Sequence, residues 1–150
     1  MKKIFNVLIN ITIIISALIV ITRLFFVDYK KVSGVSMLNT LQEGDIVLFN
    51  KTKKNYSRYD VVAVIKDDYV IKRIIGLPGE TIECKGGIVY INDVPIKENY
   101  ILGVTSDFEK IIIPDDEYYI LGDNREKSVD SRLYGTISIR DIKGIMINKF

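Results

Sequence analysis

Residues 4–22, IFNVLINITIIISALIVIT, run for 19 positions without a charge, close to the ~20 apolar residues that a helix needs to cross a bilayer. A segment of this kind divides the chain into a tip and transmembrane anchor, 1–27, and a following domain, 28–150. A cleaved leader is the competing reading. Its apolar region would span ~7–15 residues and end at small side chains, whereas here Arg23 leads directly into a second apolar cluster, Leu24 to Val27. That favours an uncleaved anchor. Charge does not orient it: Lys2 and Lys3 precede the run while Arg23, Lys30 and Lys31 follow it, so the positive-inside balance leaves the side open.

Beyond the anchor the pattern changes to short β-branched runs punctuated by Gly, Asn and Asp, which predicts a mainly β domain. Strands are expected at 45–50, 60–65, 69–75, 81–85, 88–91, 110–113 and 118–121. Lys66-Asp67-Asp68 and Gly86-Gly87 read as hairpin turns, since Gly accepts positive φ and Asp bonds its own backbone. GLPG at 76–79 reads as a further tight turn. The polar stretch 92–109 reads as a surface excursion from the sheet. There is no internal repeat or low-complexity linker.

The chain contains no histidine and a single cysteine, Cys84. An intrachain disulfide, the common zinc arrangements and the Ser-His-Asp and Cys-His mechanisms are therefore excluded. A net charge of +2 with scattered lysines forms no basic stripe for nucleic acid. The pairs Asp67-Asp68 and Asp115-Asp116 lack the spacing of a calcium loop and read as turn residues. No metal and no cofactor is implied.

Two segments carry chemistry. In VSGVSMLNTL, 32–41, small residues flank Ser36 as in a loop that exposes a hydroxyl, yet no histidine exists to take its proton. In YVIKRII, 69–75, period-2 alternation puts Val70, Lys72 and Ile74 on one face and Ile71, Arg73 and Ile75 on the other, one cation among apolar neighbours on each. Both cations snorkelling or pairing with carboxylates is one explanation. The other is that Lys72 is a base. An unperturbed lysine is neutral in only about one molecule in a thousand near neutral pH, but burial lowers its pKa by up to ~3–5 units. A neutral amine within reach of Ser36 could then take its proton, as in known Ser-Lys dyads. These residues alone leave both explanations open.

In order along the chain, SGVSMLNTL (33–41), GDIVLFNK (44–51), VIKRIIGLPGE (70–80) and GDNREKSVDSRLYG (122–135) resemble the motifs of type I signal peptidases, membrane-anchored Ser-Lys serine endopeptidases. The last matches the family signature Gly-Asp-Asn-Arg-x-x-Ser-x-Asp-Ser-Arg-x-x-Gly at every fixed position. The resemblance implies a signal-peptidase-like antiparallel β domain outside the cell membrane on one N-terminal transmembrane helix, cleaving signal peptides with small residues before the cleavage site from secretory preproteins. It implies Ser36 as nucleophile and Lys72 as general base. Ser128 would hydrogen-bond and orient the lysine, Asp130 and Arg132 would form a supporting ion pair, and Asp123 would help hold the same loop. The cleft is expected between Ser33 to Met37 and the strand 60–65, in a minimal form like that of Gram-positive relatives.

Two departures stand out. Asn39 occupies a position usually held by proline, so the serine's turn loses a fixed φ and is expected to be less rigid. Gly34 stands where some relatives place a serine that donates to the oxyanion, which leaves the Ser36 N–H as the main donor. Asn39 is also the only hint of a different reading, a non-catalytic paralogue that binds signal peptides or regulates secretion. The self-cleaving repressors share Ser-Lys chemistry but carry a helix-turn-helix in place of a spanning helix, and an anchored β domain without chemistry leaves the four motifs unexplained.

Overall fold

The apolar run forms one helix, α1 (Lys2–Phe25), with neither glycine nor proline to interrupt it. At ~1.5 Å per residue it is about 36 Å long, and Lys2–Thr22 is long and apolar enough to cross a membrane. Ile4, Phe5, Leu18 and Ile19 are all exposed, so none of the described residues covers this surface. The hydroxyls of Thr12 and Thr22 donate to the carbonyls of Leu8 and Leu18 at 3.0 and 2.8 Å, which satisfies them within the helix as an apolar surrounding requires. The computed structural model describes residues 2–66 and 68–150.

The remainder is antiparallel β structure. In chain order the strands are β1 (Val27–Lys31), β2 (Ile46–Asn50), β3 (Val61–Ile65), β4 (Tyr69–Gly76), β5 (Thr81–Lys85), β6 (Ile88–Ile91), β7 (Val94–Pro95), β8 (Phe108–Ile112), β9 (Glu117–Leu121), β10 (Ile137–Ser138) and β11 (Ile142–Lys149), with a single helical turn, α2 (Ser131–Tyr134), before β10. They make a seven-stranded sheet in the order β1-β2-β11-β3-β4-β9-β10 and a four-stranded sheet in the order β7-β6-β5-β8.

Each strand expected from the sequence is present to within a few residues. Four were not anticipated: β1, β7, β10 and β11. The last matters most, because β11 lies between β2 and β3 and pairs with both. Its register shifts between Ile142 and Gly144 and again between Met146 and Asn148. Two such irregularities erase the alternation by which a strand is read. The turn at Gly86-Gly87 has positive φ at both residues, the geometry of a tight hairpin. At the other expected hairpin Lys66 N–H donates to Asp68 O at 3.3 Å; Asp67 lies outside the described residues.

Three apolar clusters fix the layers. Val61 and Ala63 of β3 join Val47, Phe49, Met37 and Leu41 in one. Val62 and Val64 join Ile74, Ile120, Ile142 and Ile145 in a second. β3 is thus buried on both faces, which accounts for its unbroken apolar sequence. The third cluster joins the sheets, packing Ile75, Tyr119 and Leu121 of the larger against Ile82, Val89 and Ile91 of the smaller.

Candidate active site

The turn bearing Ser36 is pinned at both ends by its own apolar residues, since Val32, Met37 and Leu41 are buried while Ser36 between them stays partly exposed. Overlapping backbone bonds shape it: Leu38 N–H to Val35 O at 3.1 Å, and Thr40 and Leu41 N–H to Met37 O at 3.0 and 2.8 Å. From across the site Asn124 donates twice, backbone N–H to Ser36 O at 2.9 Å and side-chain amide to Val35 O at 3.1 Å. This approach depends on Gly122, because a Cβ there would lie 2.7 Å from Ser36 O.

Lys72 lies on β4 opposite Val62 and is only 3% exposed. Its amine is 2.7 Å from Ser36 Oγ. As an ammonium it donates to that oxygen; as a free amine its lone pair accepts the hydroxyl proton. Burial lowers the Lys72 pKa to about 8, while the more distant charges of Asp130 and Asp123 oppose the shift. Among the described residues no ion pair includes Lys72. Its neighbour Arg73 is treated differently. The guanidinium donates through Nε and Nη2 to the two Asp123 oxygens at 2.8 and 2.6 Å, and through Nη2 to Thr40 Oγ1 at 2.9 Å. Thr40 in turn donates to Asp123. Of the two explanations for the paired cations, carboxylate pairing describes Arg73 and dry burial describes Lys72.

The signature loop differs from expectation in one contact, that of Ser128. The Asp123 side chain reaches across to β4 and the serine turn, tying the loop to both. Ser128 does not bond the lysine: its Oγ is buried with no hydrogen-bond partner among the described residues. The hydroxyl is seated in the space above Gly122, where a Cβ would stand 2.1 Å from it. Asp130 and Arg132 do form a two-pronged ion pair, at 2.8 and 2.9 Å. Asp130 also accepts from Gly122 N–H at 2.9 Å, and Arg132 donates to Arg125 O at 2.7 Å, so this pair braces the loop.

Asn39 also departs from expectation. Its φ is +95°, a conformation outside the reach of proline near −65° and tolerated by asparagine better than by most residues. Its amide donates to Tyr100 O at 3.0 Å, so the turn is tethered there and not loosened. Tyr100 belongs to the stretch 92–109, which is less of a surface excursion than its polarity implies: Thr105 and Glu98 side chains bond the fully buried Arg125. Tyr100, Thr40, Asn124 and Gly122 were the site neighbours that sequence reasoning missed. The one available signal was a buried arginine beside the lysine, which demands a carboxylate and whatever holds it.

A cleft of about 310 Å³ opens beside the serine, lined among others by Ser33, Gly34, Met37, Tyr69, Ile71 and Lys72. Ser33, Gly34, Ser36 and Met37 border it, but the strand 60–65 does not, because Val61 through Val64 are buried in the two clusters. Its other wall is the first half of β4, Tyr69 to Lys72, which β9 leaves unpaired since pairing with β9 starts at Arg73. Among the described residues no acceptor takes the Ser36 backbone N–H. Nor is there a group of three or more His, Cys, Asp or Glu that could hold a metal ion.

An antiparallel β fold presenting a serine hydroxyl to a buried lysine is the architecture of a serine endopeptidase. The profile of the family described as Signal peptidase, peptidase S26 matches residues 5–149, and the chain belongs to that family. It is 37% identical to signal peptidase I V of Bacillus subtilis, over 97% of this chain and 98% of the relative. It is 36% identical to signal peptidase I P of Bacillus subtilis subsp. natto, over 89% and 80%. The crystal structure of a signal peptidase I from Enterococcus faecalis superposes with a TM-score of 0.58 at 31% identity, covering 64% of this chain and all of that one.

Proposed function

We propose that this protein cleaves signal peptides from secretory preproteins with a Ser36–Lys72 dyad. The observation that carries the proposal is the 2.7 Å approach of a buried amine, paired with no carboxylate among the described residues, to an accessible hydroxyl. With its pKa near 8, Lys72 is unprotonated in about one molecule in five at pH 7.4, against about one in a thousand for a solvated lysine. The neutral amine removes the Ser36 proton as Oγ attacks the scissile carbonyl, then returns it to the leaving amine. Water, deprotonated by the same amine, then attacks the acyl carbonyl, and that proton passes to Ser36 Oγ as the acyl C–Oγ bond breaks, restoring the free enzyme. The Ser36 N–H stabilises the oxyanion. Ser128, Asp123, Asp130 and Arg132 take supporting parts: Asp123 joins the serine turn to β4, Asp130 and Arg132 hold the loop, and Ser128 fills the space over Gly122 beside the Ser36 carbonyl.

The open edge of β4 at Tyr69 to Lys72 suits an extended peptide, which would add as a strand and present alternate side chains to the cleft. In this reading residues 1–27 are a cytoplasmic tip and membrane anchor, and 28–150 form the extracytoplasmic catalytic domain in the cell membrane. The helix then brings the site to the bilayer surface where the substrate's own apolar segment lies, raising their effective concentration.

The test is processing of a preprotein by the detergent-solubilised protein. Ser36→Ala and Lys72→Ala should each leave the substrate uncut, and a serine-acylating probe should fail to label Ser36→Ala. Wild-type kcat/KM should climb as pH rises through about 8, following loss of the Lys72 proton. Undiminished cleavage by either variant removes that residue from the mechanism.

A further inference from the structure

Ser36 and Lys72 come from segments 36 positions apart, and their alignment depends on what ties the serine turn to β4. One tie is the Arg73–Asp123–Thr40 cluster. A second runs through the stretch that crosses the site at Tyr100. Here the chain is sewn to the signature loop, with Leu102 N–H donating to Asp123 O at 2.8 Å and Arg125 N–H to Leu102 O at 2.9 Å. The Tyr100 side chain is itself immobilised. Its hydroxyl donates to Glu98 at 2.7 Å, Glu98 is held by buried Arg125, and its ring lies 4.2 Å from the Arg73 guanidinium carbon and edge-on to Tyr59. The Tyr100 carbonyl is therefore a fixed point, and the Asn39 amide is what the serine turn uses to grip it.

These contacts close a ring: Ser36, three residues along to Asn39, across to Tyr100, onto Arg73, one residue back to Lys72, and over 2.7 Å to Ser36 again. We propose that Asn39 is a positioning residue whose amide, tied to the Tyr100 carbonyl, holds the Ser36 hydroxyl against the Lys72 amine. It touches neither reacting group and acts through the backbone of the turn. The residue succeeds here because it combines a positive φ with a side-chain donor. Glycine supplies only the first, aspartate supplies an acceptor where a donor is needed, and proline supplies neither. Restoring the family's usual proline should accordingly impair this enzyme.

The inference rests on the Ser36–Lys72 reading, and the experiment separates the two. Full-length Asn39→Gly, Asn39→Asp and Asn39→Pro are compared with wild type on a preprotein, beside Ser36→Ala and Lys72→Ala, with thermal midpoints measured for each. Asn39→Gly and Asn39→Asp should lose about 10- to 100-fold in kcat, since misplacement of a reacting group by an ångström has effects of that size. Their KM should stay within about twofold, the signature of lost alignment rather than lost binding, and their melting temperatures should match wild type. Asn39→Pro should lose more; should it fail to fold, the glycine and aspartate variants decide. Wild-type kcat in either of those two, or a loss fully accounted for by unfolding, overturns the positioning role while leaving the dyad intact. Cleavage by Lys72→Ala overturns the dyad itself.

Discussion

The two faces of β4 hold adjacent cations in opposite states. On one, Arg73 is locked between both oxygens of a fully buried Asp123 and the Thr40 hydroxyl. On the other, Lys72 is more deeply buried than Arg73, 3% exposed against 9%, and among the described residues it meets a hydroxyl and no carboxylate. Burial without a partner disfavours a charge, whereas a bidentate carboxylate retains it. The fold thus makes a structural clamp of Arg73 and leaves the consecutive Lys72 buried against a hydroxyl, with its pKa lowered by desolvation.

The comparison breaks most severely at Asp123. Asp123→Ala leaves the Arg73 guanidinium buried and unpaired, and should lower unfolding free energy by about 3–5 kcal/mol, read from chemical denaturation midpoints; a shift below about 1 kcal/mol would mean that the pair is not what holds the serine turn. The next effect has the opposite sign. Lys72→Met removes a group whose folded pKa lies below its unfolded value, so unfolding is favoured by proton uptake. That penalty is complete below about pH 8 and fades as pH rises toward about 10.5, where the unfolded chain also loses the proton. The variant should be inactive yet more stable than wild type by about 3 kcal/mol at pH 7, the difference shrinking at alkaline pH. Equal stability at pH 7 would argue that Lys72 is not desolvated. The smallest effect is at Gly122, where alanine would set a Cβ 2.1 Å from Ser128 Oγ and 2.7 Å from Ser36 O. Overpacking of this kind destabilises by about 1–3 kcal/mol, and acylation of Ser36 by a serine-reactive probe should slow as the turn is pushed away from Lys72.

Legibility followed the reach of each signal. The helix and the strands with clean period-2 alternation could be read directly, since those patterns depend only on near neighbours in the chain. β11 could not, because its bulges break the alternation, although it lies between β2 and β3. The serine, the lysine and the signature loop carried strong motifs, yet their contacts differed from expectation at Ser128 and Asn39. Side-chain partners depend on which backbone passes nearby, and Tyr100 comes from a stretch whose polarity suggested only surface.

Local chemistry in the chain was enough to determine an apolar span, a mainly β domain, the absence of histidine chemistry and a serine and lysine as candidates, because each follows from residue types and short-range spacing. Tertiary structure alone decided that Lys72 is dry, that Arg73 is paired and that Asn39 grips Tyr100. Those outcomes depend on the desolvation and distance of groups 36 to 61 positions apart, which no local pattern records.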